Sequence, residues 1–261
     1  MGGGDITSRL VLDPRARGKA RIWAKEELAL SGVEVARETF HLVDGGVHFE
    51  ARAYEGDTLR EGEDIAQVEG LLTSLLAAER VALNFLQRMS GIATLTAEYV
   101  RRVKDTAARI ADTRKTAPGL RALDKMAVRA GGGTNHRMGL YDAILIKDNH
   151  IAACGGVGEA VIRAKKGASH LSRIEVEVQT LEELDEALKA GAEAILLDNM
   201  DVNTIAKAVR KARGRATLEA SGNISLDNVA EIARAGVDII SVGKLTHSVV
   251  ASDIAMDIIK D

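Results

Sequence analysis

The chain has 261 residues, 46% hydrophobic and 28% charged, ordinary proportions for a water-soluble globular protein of one large or two smaller domains. A formal net charge of -3 and an aromatic content of only 3% argue against nucleic acid as a partner, because neither a basic footprint nor base-stacking platforms are available. Cys154 is the single cysteine, so an internal disulfide is excluded; no apolar run nears the roughly 20 residues that span a bilayer, and MGGGDITSRL has no cationic stretch ahead of an apolar one, which together predict a cytoplasmic protein without membrane contact.

In chain order, residues 15–30 are expected to form a basic amphipathic helix, with Lys19, Arg21 and Lys25 on a solvated or dimer-contacting face and Trp23 with the alanines packing inward. Strand-like pieces follow, VEVARETFHLV, VHFEARAYEG and DIAQVEGLL, separated by GG and REGED turns. Strands clustered without intervening helices suggest a small α+β domain. A long helical pattern from Leu71 to Thr106, interrupted near Ser90 and Gly91, leads into a second domain, and the absence of a Pro/Ser-rich linker suggests domains packed together. From there apolar strands alternate with amphipathic segments at steps of about 20 to 35 residues, the spacing of βα units in a parallel sheet. The strands are RIADTRK (109–115), AILIKDNH (143–150), RIEVEVQT (173–180), AILLDNM (194–200), TLEASG (217–222) and IISVGK (239–244). Strands apolar along most of their length are covered on both faces, which favours a closed or nearly closed (β/α) barrel, although six strands fall short of eight. The expected division is an N-terminal domain over 1–92 and a barrel over 93–248, with a C-terminal helix over 249–261 packing back on the first domain.

In parallel barrels the loops after the strands form the active face. Here nearly every strand end carries polar residues: Arg114 and Lys115, then Lys147 with Asp148 and Asn149, Glu177 and Gln179, Asp198 and Asn199, Ser221 with Gly222 and Asn223, and Gly243 with Lys244. The segment GGGTNHRMG adds His136 and Arg137. Arg114, Lys115, His136, Arg137 and Lys147 make a concentrated anion trap, since guanidinium forks grip carboxylates bidentately and ammonium serves phosphate as a point charge. A substrate bearing several carboxylates or phosphates is therefore expected.

The ordered set ERVALNFLQRMSGIAT, DTRKTAPGLR, GGGTNHRMGLYDAILIKDNH, EVEV, LLDN, EASGNI and SVGKLTHS resembles the quinolinate phosphoribosyltransferases, from GDITS at residues 4–8 through Ser248. The resemblance implies an α/β fold in which an open-faced α+β sandwich joins an incomplete (β/α) barrel of about six parallel strands. It also implies transfer from phosphoribosyl pyrophosphate (PRPP) to quinolinate with decarboxylation, in the presence of Mg2+. Homodimers would complete each other's sites, with further assembly into hexamers left open. Under it, Arg114, His136, Arg137 and Lys147 pair the two carboxylates of quinolinate, and Arg80 arrives from the partner subunit. Lys115 faces phosphate, while Glu177 and Asp198 face the ribose hydroxyls and the magnesium-bound pyrophosphate, mostly through substrate and water. The 5'-phosphate would sit against Ser221, Gly222, Asn223 and Gly243. Lys147, Glu177 and Asp198 are the implied catalytic residues. Lys244 stands where the pattern has alanine.

Plainer roles stand beside these. Glu175 and Glu177 are expected on opposite faces of their strand, and the choice of Glu177 rests on the resemblance. Asp198 could cap the helix at DVNTIAKA, and Asp148 could brace Lys147. His150 and His247 suit structural hydrogen bonds, His41, His48 and His170 the surface, and Cys154 an apolar filling role. Rival functions are a phosphoribosyltransferase of the same fold acting on another base acid, and a non-catalytic metabolite-binding barrel.

Overall fold

A computed structural model describes residues 4–259. The elements run in order α1 (Ile6–Val11), β1 (Arg17–Ala24), β2 (Leu28–Ala29), α2 (Val33–Val43), β3 (His48–Ala51), β4 (Thr58–Leu59), β5 (Asp64–Leu71), α3 (Leu72–Val103), β6 (Arg109–Ala111), α4 (Arg121–Ala130), β7 (Ile144–Ile146), α5 (Asp148–Cys154), α6 (Val157–Gly167), β8 (Ile174–Val178), α7 (Leu181–Ala190), β9 (Ala194–Asp198), α8 (Val202–Ala212), β10 (Thr217–Ser221), α9 (Val229–Arg234), β11 (Ile239–Ser241), α10 (Lys244–His247) and β12 (Ile254–Ile259). They fall into two units: one runs to Ala97 and takes in Ala122–Gly132 and the stretch from Ser248 onward, and the other holds Glu98–Arg121 and Gly133–His247. Residues 122–132, expected with the barrel, thus belong with the first unit.

The first unit is built on an antiparallel sheet in the order β12-β1-β5-β3. Residues 17–24 are a strand and not the expected helix. Their burial alternates with period two, Ala20, Ile22 and Ala24 going into the core while Arg17, Lys19, Arg21 and Trp23 take the other face. On that face Arg21 pairs with Asp64 at 2.8 Å and Lys19 with Glu69 at 3.4 Å. Conversely, VEVARETFHLV is a helix and not a strand, because Val33, Ala36 and Phe40 recur at helical spacing and all three are buried. Its N-terminus is held from outside: Gly32 N and Val33 N donate to Glu55 Oε1 at 2.7 and 2.8 Å.

Helix α3 runs unbroken through Ser90 and Gly91. Ser90 Oγ accepts from Ser31 N and donates to Ser31 O, each at 3.1 Å, and a Cβ at Gly91 would collide with the backbone oxygen of Val250. The small residues therefore admit neighbouring backbone, and the helix pays nothing in continuity. The expected C-terminal helix is also corrected: Ile254–Ile259 is strand β12, paired antiparallel with β1 from Ala24↔Ile254 to Lys19↔Ile259, a role suited to β-branched isoleucine; residues 260 and 261 lie outside the described residues.

The second unit contains six parallel strands in the order β6-β11-β10-β9-β8-β7. Among the described residues β6 and β7 do not pair, so the barrel has a seam. Thr134 partly fills it, donating from N to Ile110 O at 2.8 Å and accepting at O from Asp112 N at 3.2 Å. Strand residues such as Val176, Ile195, Leu197 and Ile240 are fully buried, as both-face coverage demands. Asp201 and Thr180 cap α8 and α7, leaving Asp198 free of capping duty. No helix among the described residues is long and apolar enough to cross a membrane.

Candidate active site

At the C-terminal ends of these six strands lies a cavity of about 650 Å³, lined entirely by residues of the second unit. Every strand feeds it, because parallel strands all deliver their following loops to the same rim.

Its cationic wall comes from two loops flanking the seam. Arg114 follows β6 and Arg137 lies in the segment before β7. The Nε atom of each is buried without a hydrogen-bond partner, and among the described residues the Arg137 fork donates from Nη1 to Ala143 O at 3.1 Å. Burial, and then the charge of Arg114, push the Arg137 guanidinium below its ordinary pKa. Two like charges held together with donors unspent form a receptor for an anion.

The fully buried Asp112 fixes the loop carrying Arg137, its Oδ1 accepting from His136 N at 2.8 Å and its Oδ2 from Asn135 Nδ2 at 2.6 Å. Arg121 ties the two loops together, donating to Thr116 Oγ1 at 3.1 Å, Met138 O at 3.1 Å and Arg114 O at 3.4 Å. Sequence reasoning passed over both residues; the Arg in APGLR and the Asp opening DTRK were the available signals.

His136 lines the cavity, yet both ring nitrogens are engaged by the protein. Nδ1 accepts from Arg137 N at 2.7 Å, and Nε2 faces Glu175 Oε2 at 3.2 Å and Glu219 Oε1 at 3.8 Å. Glu175 and Glu219 were missed. Glu175 was expected to face away from Glu177, but residues two apart share a strand face, so both point to the interior side. Burial, and next the neighbouring Glu175, push the Glu219 carboxyl up to about 7.

Lys147 reaches Glu177, Nζ to Oε2 at 2.7 Å, so Glu177 is its brace and not Asp148, whose Oδ1 accepts from Asn149 N. His150 is structural, Nδ1 accepting from Lys147 N at 3.0 Å. Asp198 Oδ2 accepts from Asn199 Nδ2 at 2.9 Å and from Gln179 Nε2 at 3.5 Å. Gly222 has φ +88°, and a Cβ there would run into the Asn199 side chain, which itself accepts from Asn223 Nδ2 at 3.0 Å. Lys115 passes alongside Gly243, whose added Cβ would lie 3.4 Å from Lys115 Cδ, and Thr246 Oγ1 donates to Lys115 O at 2.8 Å. Ser221, Asn223 and Lys244 also line the cavity.

Arg80 is not among the lining groups. It lies on the α3 part of the first unit, its side chain 67% exposed and 3.8 Å from Glu79. The structure thus gathers every expected site residue except this one.

The family description "Quinolinate phosphoribosyl transferase" matches in both its parts, the N-terminal domain over residues 5–90 and the C-terminal domain over residues 92–257. The chain is 47% identical over 258 residues to a probable nicotinate-nucleotide pyrophosphorylase [carboxylating] of Bacillus subtilis, covering 99% of this chain and 89% of that protein. It is 43% identical to a mitochondrial quinolinate phosphoribosyltransferase [decarboxylating] of Nicotiana tabacum, covering 98% and 77%. Among solved structures, the nicotinate-nucleotide pyrophosphorylase from Francisella tularensis superposes with a TM-score of 0.95 at 40% identity, covering 99% of this chain and 91% of that one.

Proposed function

The chain belongs to the quinolinate phosphoribosyltransferase family, and from that premise we propose how its cavity works. The enzyme is a pentosyltransferase: it transfers the phosphoribosyl group of PRPP to quinolinate and releases pyrophosphate and carbon dioxide, giving nicotinate mononucleotide for NAD biosynthesis. The observation that carries the site assignment is the Arg114–Arg137 pair, two partly desolvated guanidinia with buried, unpaired Nε atoms, in one cavity with Lys147. Such a pair is costly when empty and is neutralised by a small diacid. A monoacid would leave part of that charge uncompensated.

Arg114, Arg137 and Lys147 pair the carboxylates of quinolinate. His136, with both ring nitrogens engaged, places the Arg137 backbone. Lys115 meets phosphate, and the turns at Ser221, Gly222 and Asn223 and at Gly243 let backbone approach the 5'-phosphate closely. Glu177 and Asp198 face the ribose hydroxyls and the pyrophosphate. Their oxygens also suit magnesium: both are hard donors, and each carboxylate keeps one oxygen without a protein hydrogen bond among the described residues. When bound, mostly through water and substrate oxygens, magnesium would neutralise charge on the leaving pyrophosphate.

The ring nitrogen attacks the anomeric carbon as pyrophosphate departs, through a transition state with oxocarbenium character. Glu177 and Asp198 supply negative charge beside the developing cation, and no protein nucleophile is required. The ring nitrogen then bears positive charge, which destabilises the adjacent carboxylate; carbon dioxide leaves and the carbon takes a proton. Arg80, exposed and not among the residues that line the cavity, is assigned to the partner subunit's site in a homodimer. The lone cysteine suits a cytoplasmic setting.

Purified protein given magnesium, PRPP and quinolinate is expected to form nicotinate mononucleotide and carbon dioxide stoichiometrically, with nicotinate a poor replacement. Equal turnover of nicotinate would overturn the two-carboxylate reading.

A further inference from the structure

The cavity that holds the guanidinium pair is also lined by His136 and Glu219, which form with Glu175 a cluster to which the phosphoribosyl transfer chemistry assigns no step; their ligand atoms all lie within 4.8 Å of one another. Glu219 sits on β10 with its side chain 3% exposed, and its Oε1 has no hydrogen-bond partner. An orphaned carboxylate oxygen at that depth demands either a metal ion or a proton. The histidine decides between them. Its Nδ1 accepts the Arg137 N–H at 2.7 Å, so the ring proton resides on Nε2, the nitrogen that faces the acids. A metal on Nε2 would need that proton moved to Nδ1, where it would confront the Arg137 N–H. The site is therefore built for protons.

We propose that Glu219 is a positioning residue that works as a neutral carboxylic acid: it holds a proton in the lining of the anion-binding cavity, supports the Nε2–H tautomer of His136 with Glu175, and thereby adds no further negative charge to those of Glu175 and Asp142 that already act on Arg137. This inference rests on the quinolinate reading and deepens it. The groups facing Glu219 are Glu175 from β8, His136 from the segment before β7, Ser241 from β11, and its register partners Leu196 on β9 and Ile239 on β11. Among the described residues, the groups that act on its charge are thus one acid, one hydroxyl and the His136 ring, with Arg114 and Arg137 in the same cavity lining. Burial raises the Glu219 carboxyl first and Glu175 raises it further, to about 7, against smaller opposing effects of His136 and Ser241. When Glu219 ionises, a further negative charge arises in the lining of the cavity that receives the substrate's own negative charge. Affinity for the diacid must fall.

The sign follows from linkage: diacid binding favours protonated Glu219, so it is strongest below the carboxyl's folded value and weakens above it. For a group titrating near 7 the protonated fraction drops about tenfold between pH 6 and pH 8, which sets the expected rise in KM for quinolinate and in Kd for phthalate, a non-reacting diacid probe. KM for PRPP serves as the control and should change less than twofold. Glu219→Gln mimics the neutral acid. It should hold phthalate Kd and quinolinate KM level over the same interval and keep kcat within about threefold of wild type, whereas Glu219→Ala should lose affinity at every pH. A wild-type phthalate Kd that stays level from pH 6 to pH 8 overturns the proposal, and this measurement stands even if the variants misfold. So does a Glu219→Gln protein with kcat down about a hundredfold at unchanged KM, since that pattern marks a proton donor touching substrate. Wild-type protein that binds phthalate with the expected pH dependence but makes no nicotinate mononucleotide would refute the functional reading while leaving the charge coupling intact.

Discussion

Arg137 offers the sharpest separation between a group kept for folding and one kept for binding. Among the described residues its guanidinium makes one protein hydrogen bond, to Ala143 O, while its Nε is buried unpaired and its charge is opposed by burial and by Arg114 more than Asp142 and Glu175 support it. One hydrogen bond to a charged donor contributes about 1.5–3 kcal/mol at most, and desolvation and like-charge repulsion work against it. Arg137→Ala is thus expected to leave unfolding free energy within about 1 kcal/mol of wild type, or to raise it, as measured by urea titration. Activity should respond very differently. A carboxylate gripped by the fork loses two charge-assisted bonds and leaves Arg114 facing it alone, a loss of about 3 kcal/mol, or roughly 150-fold in kcat/KM for quinolinate. Arg137→Lys keeps the charge but not the planar fork, and should recover about a tenth of the lost efficiency or more. Steady-state kinetics at saturating PRPP, run beside the denaturation curves, test both halves. An Arg137→Ala protein destabilised by more than about 2 kcal/mol with quinolinate KM unaltered would show that the residue is a structural tie, and the receptor argument would fail.

Two further outcomes are expected. Gly222→Ala forces a side chain into a left-handed conformation at φ +88° and pushes Asn199, whose amide holds Asp198, out of place; KM for PRPP should rise about tenfold while quinolinate affinity, read by phthalate binding, stays near wild type, and an unchanged PRPP KM would remove this turn from the phosphate site. Mixing inactive Arg80→Ala with inactive Arg114→Ala protein should restore part of the activity, because a hybrid dimer has one site with both arginines; no recovery despite demonstrated subunit exchange would rule out sharing.

The barrel was legible because its signals are local and mutually consistent. An apolar strand such as Ala194–Asp198, a capping Asp201, an amphipathic α8 and a residue in left-handed conformation at Arg213 each mark their own element. The first unit lacks that agreement. Arg17–Ala24 carries Arg, Lys and Ala, good helix formers, and only their strict alternation with buried positions identifies a strand whose charged face is matched across to Asp64 and Glu69. In Val33–Val43 the valines point toward strand by propensity, while the buried positions Val33, Ala36 and Phe40 follow a helix, and packing decided. Ser90 and Gly91 read as a break because the backbone that presses on them, near Ser31 and Val250, is distant in sequence.

The site divides along the same line. Cations at strand ends announce themselves, since an unpaired lysine or arginine after an apolar strand has no cheap structural excuse. What could not be read was the arrangement behind them. Glu175 and Glu219 belong to strands separated by β9, and His136 comes from the segment at the seam, so only the curvature of the sheet brings the three together. One part of that arrangement was nonetheless available: two residues apart on a strand means the same face, and Glu177 entering the cavity entails Glu175 on the interior side too. A second interior acid already acts on Arg137, so a third carboxyl in the same lining, that of Glu219, is best tolerated with a proton on it. The chemistry of binding a diacid thus constrains the protonation of residues that need never touch it, and the pH dependence of diacid affinity is where that constraint becomes measurable.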